Sequence, residues 1–246
     1  MDKMAVYNRL PVFAQNWACS VEGARIARTR FGSLFRRTLQ DYEARSRWSS
    51  ERIAAYRDER LRAMVKYCYD TVPYYRAMFD EGGIDPASIK SLDDMGRLPL
   101  LTKKEVNENP ERFFSTAYRG KRIKHHTSGT TGSGFVFYTS PEAICEQWAC
   151  WWRFREALGI EFGTSQAMFG TQKVVPAIQA APPYWRENRP GNQVYFSAFH
   201  ESEGNLAEYC EEIKRRRIPW IHGYPSLLVP VALFAARNGV SFPCVR

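Results

Sequence analysis

The chain lacks any apolar run approaching the roughly 20 residues that a bilayer-spanning helix needs. The stretch LPVFAQNWACS near the N-terminus is broken by Gln15 and Asn16 and is too polar for a signal-peptide core. Cysteines are few and scattered: Cys19, Cys68, Cys145, Cys150, Cys210 and Cys244 form no CxxC pair, which argues against a zinc site. Their wide spacing suggests no disulfide framework, and a reducing, cytoplasmic setting is expected. Internal repeats and low-complexity segments are absent. So are a Ser-His-Asp set and a paired-carboxylate site, which leaves acyl-enzyme hydrolysis and glycoside chemistry without support. The excess of one charge is modest, at +9 over 246 residues.

What is present is apolar substance, with 44% hydrophobic and 14% aromatic residues, enough for a packed core. Much of the positive charge comes early, from Arg25 through Arg62, and from Asp41 onward acidic residues are interspersed. Mixed signs at helical spacing read as a solvated, salt-bridged face; the other reading is a patch that attracts nucleic acid, membrane or an acidic partner. Leu61, Met64, Val65 and Cys68 recur at helical spacing behind a Ser cap at Ser49-Ser50. Pro73 then interrupts, a short helix runs to Gly82-Gly83, and Thr102 with Glu105 has the form of a capping box. Residues 1–115 are therefore expected to form a mainly helical N-terminal region.

Residues 116–246 read differently. KRIKHHTSGTTGSGFVFYTS has the pattern strand, loop, strand, and Ser140-Pro141 opens a helix with proline at its first position. Ile144, Trp148, Trp151 and Leu158 are expected along one face of that helix, with Gly159 closing it. SQAMFG and NQVYFSAF are strand candidates, EGNLAEYCEEIKRRR a helix, IPWIHGYP a strand running into a turn, and SLLVPVALFAARNG a further helix. Strands alternating with helices predict an α/β sandwich with at least partly parallel pairing.

Thr127 to Gly132 is a run of hydroxylated residues and glycines. Phosphate needs inward-pointing backbone N–H groups, hydroxyl donors, and glycines that let the chain approach closely. A Walker loop requires G-x-x-x-x-G-K-S/T; Gly129 and Gly134 have that spacing, but Phe135 stands in place of the lysine and Val136 in place of the hydroxyl. The dinucleotide fingerprint fails as well, since Phe137 occupies the position of the third glycine and a strand comes next.

TSGTTG, by contrast, resembles the phosphate loop of the adenylate-forming (AMP-binding) superfamily. YDTVPYYRAMFDEGGIDPASIKSLDDMGRLPLLTKKEV before it and YFSAFHESEGNLAEYCEEIKRRRIPWIHGYPSLL after it resemble, in that order, the phenylacetate–coenzyme A ligase branch and its capsule-biosynthesis relatives. The similarity runs from about Trp48 to Gly239. It implies the large-domain α/β fold of that superfamily, incomplete at the C-terminus. The implied activity is ATP-dependent conversion of a small-molecule carboxylic acid to an acyl-adenylate, then transfer to a thiol such as that of coenzyme A, with Mg2+ beside ATP. Thr127, Ser128, Gly129, Thr130, Thr131 and Gly132 would bind the ATP phosphates. After Gly132 the loop departs from the family pattern, with Ser133, Gly134 and Phe135 in place of a proline or basic residue. The resemblance also implies parts beyond Arg246: an aromatic-Gly-x-x-Glu segment, a ribose-binding Asp, and a small domain carrying the catalytic lysine. A complementing C-terminal chain is one expected partner; the alternative is a non-catalytic remnant or half-enzyme acting as an interaction module. Nucleic acid is not an expected partner.

His222, Gly223, Tyr224 and Pro225 lie where a strand hands over to a helix, a usual place for ligand contacts in α/β folds. They read as a wall of the acyl pocket, or as a plain strand-to-helix turn with Ser226 as a cap. His222 itself reads as a substrate contact or as a satisfied interior histidine. Trp148, Trp151 and Trp152 read as core packing or as an aromatic acyl pocket. His125 and His126 flank the loop without a third ligand at metal spacing, so no metal site is assigned.

Overall fold

The computed structural model describes residues 3–127 and 134–245. Helices α1 (Lys3–Tyr7), α2 (Val12–Arg30), α3 (Ser33–Arg45), α4 (Ser50–Thr71), α5 (Pro73–Glu81) and α6 (Lys103–Glu108) come first. A hairpin of β1 (Ile123–His126) and β2 (Val136–Thr139) is next, then α7 (Pro141–Ala157). The rest comprises β3 (Gln166–Phe169), β4 (Trp185–Asn188), β5 (Gln193–Phe196), α8 (Glu203–Arg215), β6 (Trp220–Gly223) and α9 (Pro225–Arg237). These elements fall into two compact units, Met1–Ser33 with Cys150–Arg246, and Leu34–Ala149. The fold class read from the sequence is what the chain has: a helical N-terminal region followed by α/β structure.

In the unit of residues 34–149, local signals set the boundaries. Ser49 caps α4 by accepting from the Arg52 N–H at 3.3 Å. The chain leaves α4 because Val72 precedes a proline and takes the extended conformation such residues favour. Pro73 then begins α5, and Gly83 ends it at φ +59°, a left-handed turn suited to glycine. Val65, Phe79 and Ile89 are the buried core of this helical layer, flanked by Leu61, Met78 and Leu98. Thr102 and Glu105 form the expected reciprocal cap: the Glu105 N–H donates to Thr102 Oγ1 at 3.3 Å, and the Thr102 N–H to Glu105 Oε2 at 2.8 Å.

The other unit holds a four-stranded sheet in the order β4-β5-β3-β6. β3 runs parallel to both β5 and β6, in the registers Met168↔Tyr195 and Met168↔His222. β4 is antiparallel to β5. Helices α8 and α9 supply Leu206, Tyr209, Cys210, Ile213, Val231 and Ala235 to a core that includes Ala167, Phe169, Val194 and Phe196 from the sheet. The Phe169 and Phe196 rings stack at 4.9 Å between centroids, and the Tyr209 hydroxyl donates to the Ser197 carbonyl at 2.9 Å.

Two features differ from the sequence reading. The buried line of α7 is Cys145, Ala149 and Trp152, whereas Trp151 is 51% and Leu158 63% exposed. Apolar residues surround much of that helix, so the stripe drawn from the large side chains falls one residue out of phase. β4 is absent from the strand candidates, because its sequence WREN is polar and its Arg186 is fully buried.

Candidate functional site

The glycine loop hangs from a hairpin. β1 and β2 pair antiparallel, with His125 opposite Phe137 and His126 opposite Val136. Beyond the last pair the ladder closes once more: the Thr127 N–H donates to the Phe135 carbonyl at 3.0 Å, and the Phe135 N–H to Thr127 Oγ1 at 3.1 Å. A Cβ on Gly134 would stand 3.0 Å from the Thr127 carbonyl oxygen, so the two ends of the loop approach more closely than most side chains permit. Ser128, Gly129, Thr130, Thr131 and Gly132 lie outside the described residues. Thr127 is described, and its hydroxyl oxygen accepts a bond that fixes the base of the loop.

The hairpin has its own supports. His125 stacks on Phe137 at 5.0 Å between centroids, and its Nε2 lies 2.7 Å from Thr139 Oγ1. Phe135 stacks on Phe137 at 5.9 Å, and Tyr138 meets Phe114 edge-on at 5.1 Å. Immediately after β2, Ser140 Oγ accepts from the Ala143 N–H at 3.1 Å and starts α7. A strand on each side of the loop, not a helix after it, is the arrangement expected from the sequence and differs from a Walker loop.

The second group of candidate residues sits at the carboxyl ends of β3 and β6. The chain runs from β5 through α8 to β6 on the opposite side of β3, so the order of connection reverses there, a place where open α/β sheets gather ligands. Gly223 ends β6, and a Cβ at that position would lie 2.3 Å from the Phe169 carbonyl oxygen. The Tyr224 N–H donates to that same carbonyl at 3.1 Å, extending the ladder into the turn. The Tyr224 side chain is exposed and Pro225 takes the first position of α9. Tyr224, with no capping side-chain bond, precedes the helix, so Ser226 is inside the first turn and is not its cap.

His222 is half-buried, and its Nδ1 is buried without a hydrogen-bond partner. Burial, reinforced by the Arg155 guanidinium, holds its pKa below the ordinary histidine value, favouring the neutral ring. The ring is therefore interior but not fully hydrogen-bonded. Trp220 packs edge-on against His222 at 5.3 Å, and Trp152 against Trp220 at 6.1 Å. Arg155 lies over the rings of Trp220 and Trp152, at 4.8 and 4.9 Å from their centroids. Trp152 is thus packed core, but its Nε1 has no hydrogen-bond partner. Sequence reasoning missed Arg155; its position three residues after Trp152, on the face that turns inward, was the available signal. Among the described residues no group of three or more His, Cys, Asp or Glu side chains could hold a metal ion.

No family model matches the chain. Protein CapK of Staphylococcus aureus is 25% identical over 236 residues, spanning 96% of this chain and 51% of CapK. The phenylacetate-coenzyme A ligase of Thermus thermophilus is 36% identical over 87 residues, 35% of this chain and 20% of that enzyme. Its Escherichia coli counterpart is 32% identical over 102 residues, 41% of this chain and 23% of the enzyme. The chain thus spans about half the length of CapK and a smaller share of the ligases. Among solved structures, 2-hydroxyisobutyryl-CoA ligase in the postadenylation state, bound to 2-HIB-AMP, superposes with a TM-score of 0.54 at 17% identity over 78% of this chain and 40% of that one. The same ligase with 2-HIB-AMP and CoA, in the thioesterification state, gives a TM-score of 0.51 at 18% identity. The chain is thus similar in sequence to CapK and to phenylacetate-coenzyme A ligases, and it shares part of the fold of 2-hydroxyisobutyryl-CoA ligase.

Proposed function

We propose that this chain supplies the ATP-phosphate loop and part of the acyl site of an acid–thiol ligase. In that reaction a carboxylate oxygen attacks the α-phosphorus of ATP, the bond to the β-phosphate breaks, and pyrophosphate leaves. The thiol of coenzyme A then attacks the acyl carbon and AMP departs. The observation that carries the reading is the antiparallel pairing of the strands that precede and follow TSGTTG in sequence, with Thr127 and Phe135 bonded to each other beyond the last pair. Thr127 to Gly132 would hold the β- and γ-phosphates through backbone N–H groups and hydroxyls. Mg2+ would arrive on the nucleotide and neutralise charge on the leaving pyrophosphate.

His222 and Gly223 would line the acyl pocket, with Tyr224 and Pro225 at its mouth. The neutral His222 ring, with Nδ1 unpaired, suits a hydrogen bond to a substrate oxygen. The matching relatives favour a carboxylic acid substrate and coenzyme A, and the similarity to CapK favours a place in polysaccharide capsule synthesis in the cytoplasm.

The test is isothermal titration of the purified chain with Mg-ATP. Saturable binding that disappears in the Thr130→Ala, Thr131→Ala double variant is expected. Binding that survives the double variant, or no binding by a demonstrably folded chain, would remove this loop as an ATP site of the chain.

A further inference from the structure

Helix α2 is built inside out. Its polar side chains face the protein: Gln15 Oε1 accepts from Arg186 Nε at 2.5 Å, and Asn16 Oδ1 accepts from the Glu187 N–H at 2.9 Å. The Ser20 hydroxyl donates to the Glu187 carbonyl at 3.3 Å and accepts from the Arg189 N–H at 3.2 Å. On the opposite side Phe13, Trp17 and Val21, four residues apart and so in one line, are 76%, 73% and 51% exposed. Leu10, Ala14 and Ala18 complete a mostly apolar groove along that line, with Glu22 at its end. A surface helix of a globular protein normally turns such a stripe inward.

Charge says what the stripe suits. Residues 3–30 contain Lys3, Arg9, Arg25, Arg28 and Arg30 against one acidic residue, Glu22, which is bound by Arg25. Arg25 and Arg28 are exposed and come four and seven residues after Val21, continuing the apolar line, and exposed Arg9 precedes it. Aromatic and aliphatic side chains flanked by arginines match the boundary between lipid headgroups and acyl chains, where a tryptophan ring is at home and guanidinium meets phosphate. A second copy of the chain would bring like charges together instead. No described helix is long and apolar enough to cross a membrane, which is consistent with α2 lying on the surface of one.

We propose that the outward face of α2 docks on an anionic lipid bilayer, with Phe13, Trp17 and Val21 inserted between headgroups and Arg25 and Arg28 on lipid phosphates. This inference does not rest on the ligase reading. The experiment is co-sedimentation of the chain with phosphatidylcholine vesicles, with and without about 30% phosphatidylglycerol. Binding to the anionic vesicles is expected, weakened by salt, and about tenfold or more weaker for Phe13→Glu and Trp17→Glu. Both side chains point to solvent, so these variants should keep the wild-type circular dichroism. Trp17→Phe, which stays apolar and aromatic, should keep the binding, and Arg25→Gln with Arg28→Gln should lower it on anionic vesicles. Absence of co-sedimentation, or binding indifferent to Trp17→Glu, would overturn the proposal. A lipid-free dimer that Trp17→Glu dissociates, without vesicle binding, would overturn it too and make a second copy the occupant.

Discussion

At the scale of single residues the clearest constraint is Gly223. Its backbone is not in a left-handed conformation; what excludes a side chain is the Phe169 carbonyl oxygen, 2.3 Å from where a Cβ would be. Gly223→Ala must push β6 from β3 or strain the turn, and should lower stability by about 2–3 kcal/mol, read as a shift in urea midpoint. His222 gives a pH prediction. Burial and Arg155 depress its folded pKa, so the unfolded chain takes up the proton first as pH falls below about 6.5. Stability attached to the neutral ring is therefore complete above that value and is lost on acidification towards the folded pKa. Urea unfolding at about pH 7.5 and pH 5.5 should show a smaller loss for His222→Phe than for wild type; equal losses would refute the assignment. The hand-over from strand to helix at HGYP was legible in the sequence. The reason for its glycine was not, since the carbonyl that forbids a Cβ lies on a strand more than fifty residues earlier.

At the scale of elements, legibility tracked local chemistry. The Ser49 cap, the Pro73 break, the Gly83 stop and the Thr102–Glu105 box each act within a few residues, and each stands where the sequence places it. The β4 strand could not be found that way. Arg186, fully buried, donates to Gln15 Oε1, Gln179 Oε1 and the carbonyls of Pro183 and Trp185, and so ties α2 to β4. Composition treats arginine as a surface residue, and nothing near Arg186 in sequence announces that its main partner is residue 15. Arg186→Ala should remove the guanidinium donor from two amide oxygens and two carbonyls, of which the Pro183 carbonyl keeps a bond from Gln179 Nε2. We expect a loss of about 3 kcal/mol or more in equilibrium unfolding, whereas a loss below about 1 kcal/mol would mean that water replaces the guanidinium there.

At the scale of the whole molecule, alternation of strands and helices announced an α/β fold, and the structure has one. The strand order β4-β5-β3-β6, with its reversal about β3, depends on pairings between distant segments that no local pattern specifies. Nor could periodicity show that residues 1–33 join residues 150–246 in one compact unit. A variant lacking residues 1–30 should therefore lose more than a loose extension: its melting temperature should fall by about 10 °C or more, or the protein should become insoluble. An unchanged melting temperature would make α2 an accessory. The Asn16 and Ser20 side chains also give the sheet a polarity. They occupy backbone groups of Glu187 and Arg189 and so blunt the β4 edge, leaving β6 as the free edge of the sheet among the described residues. The sheet can thus lengthen in one direction only. A strand recruited there would lie beside His222, so lengthening the sheet and enclosing that ring would be a single event.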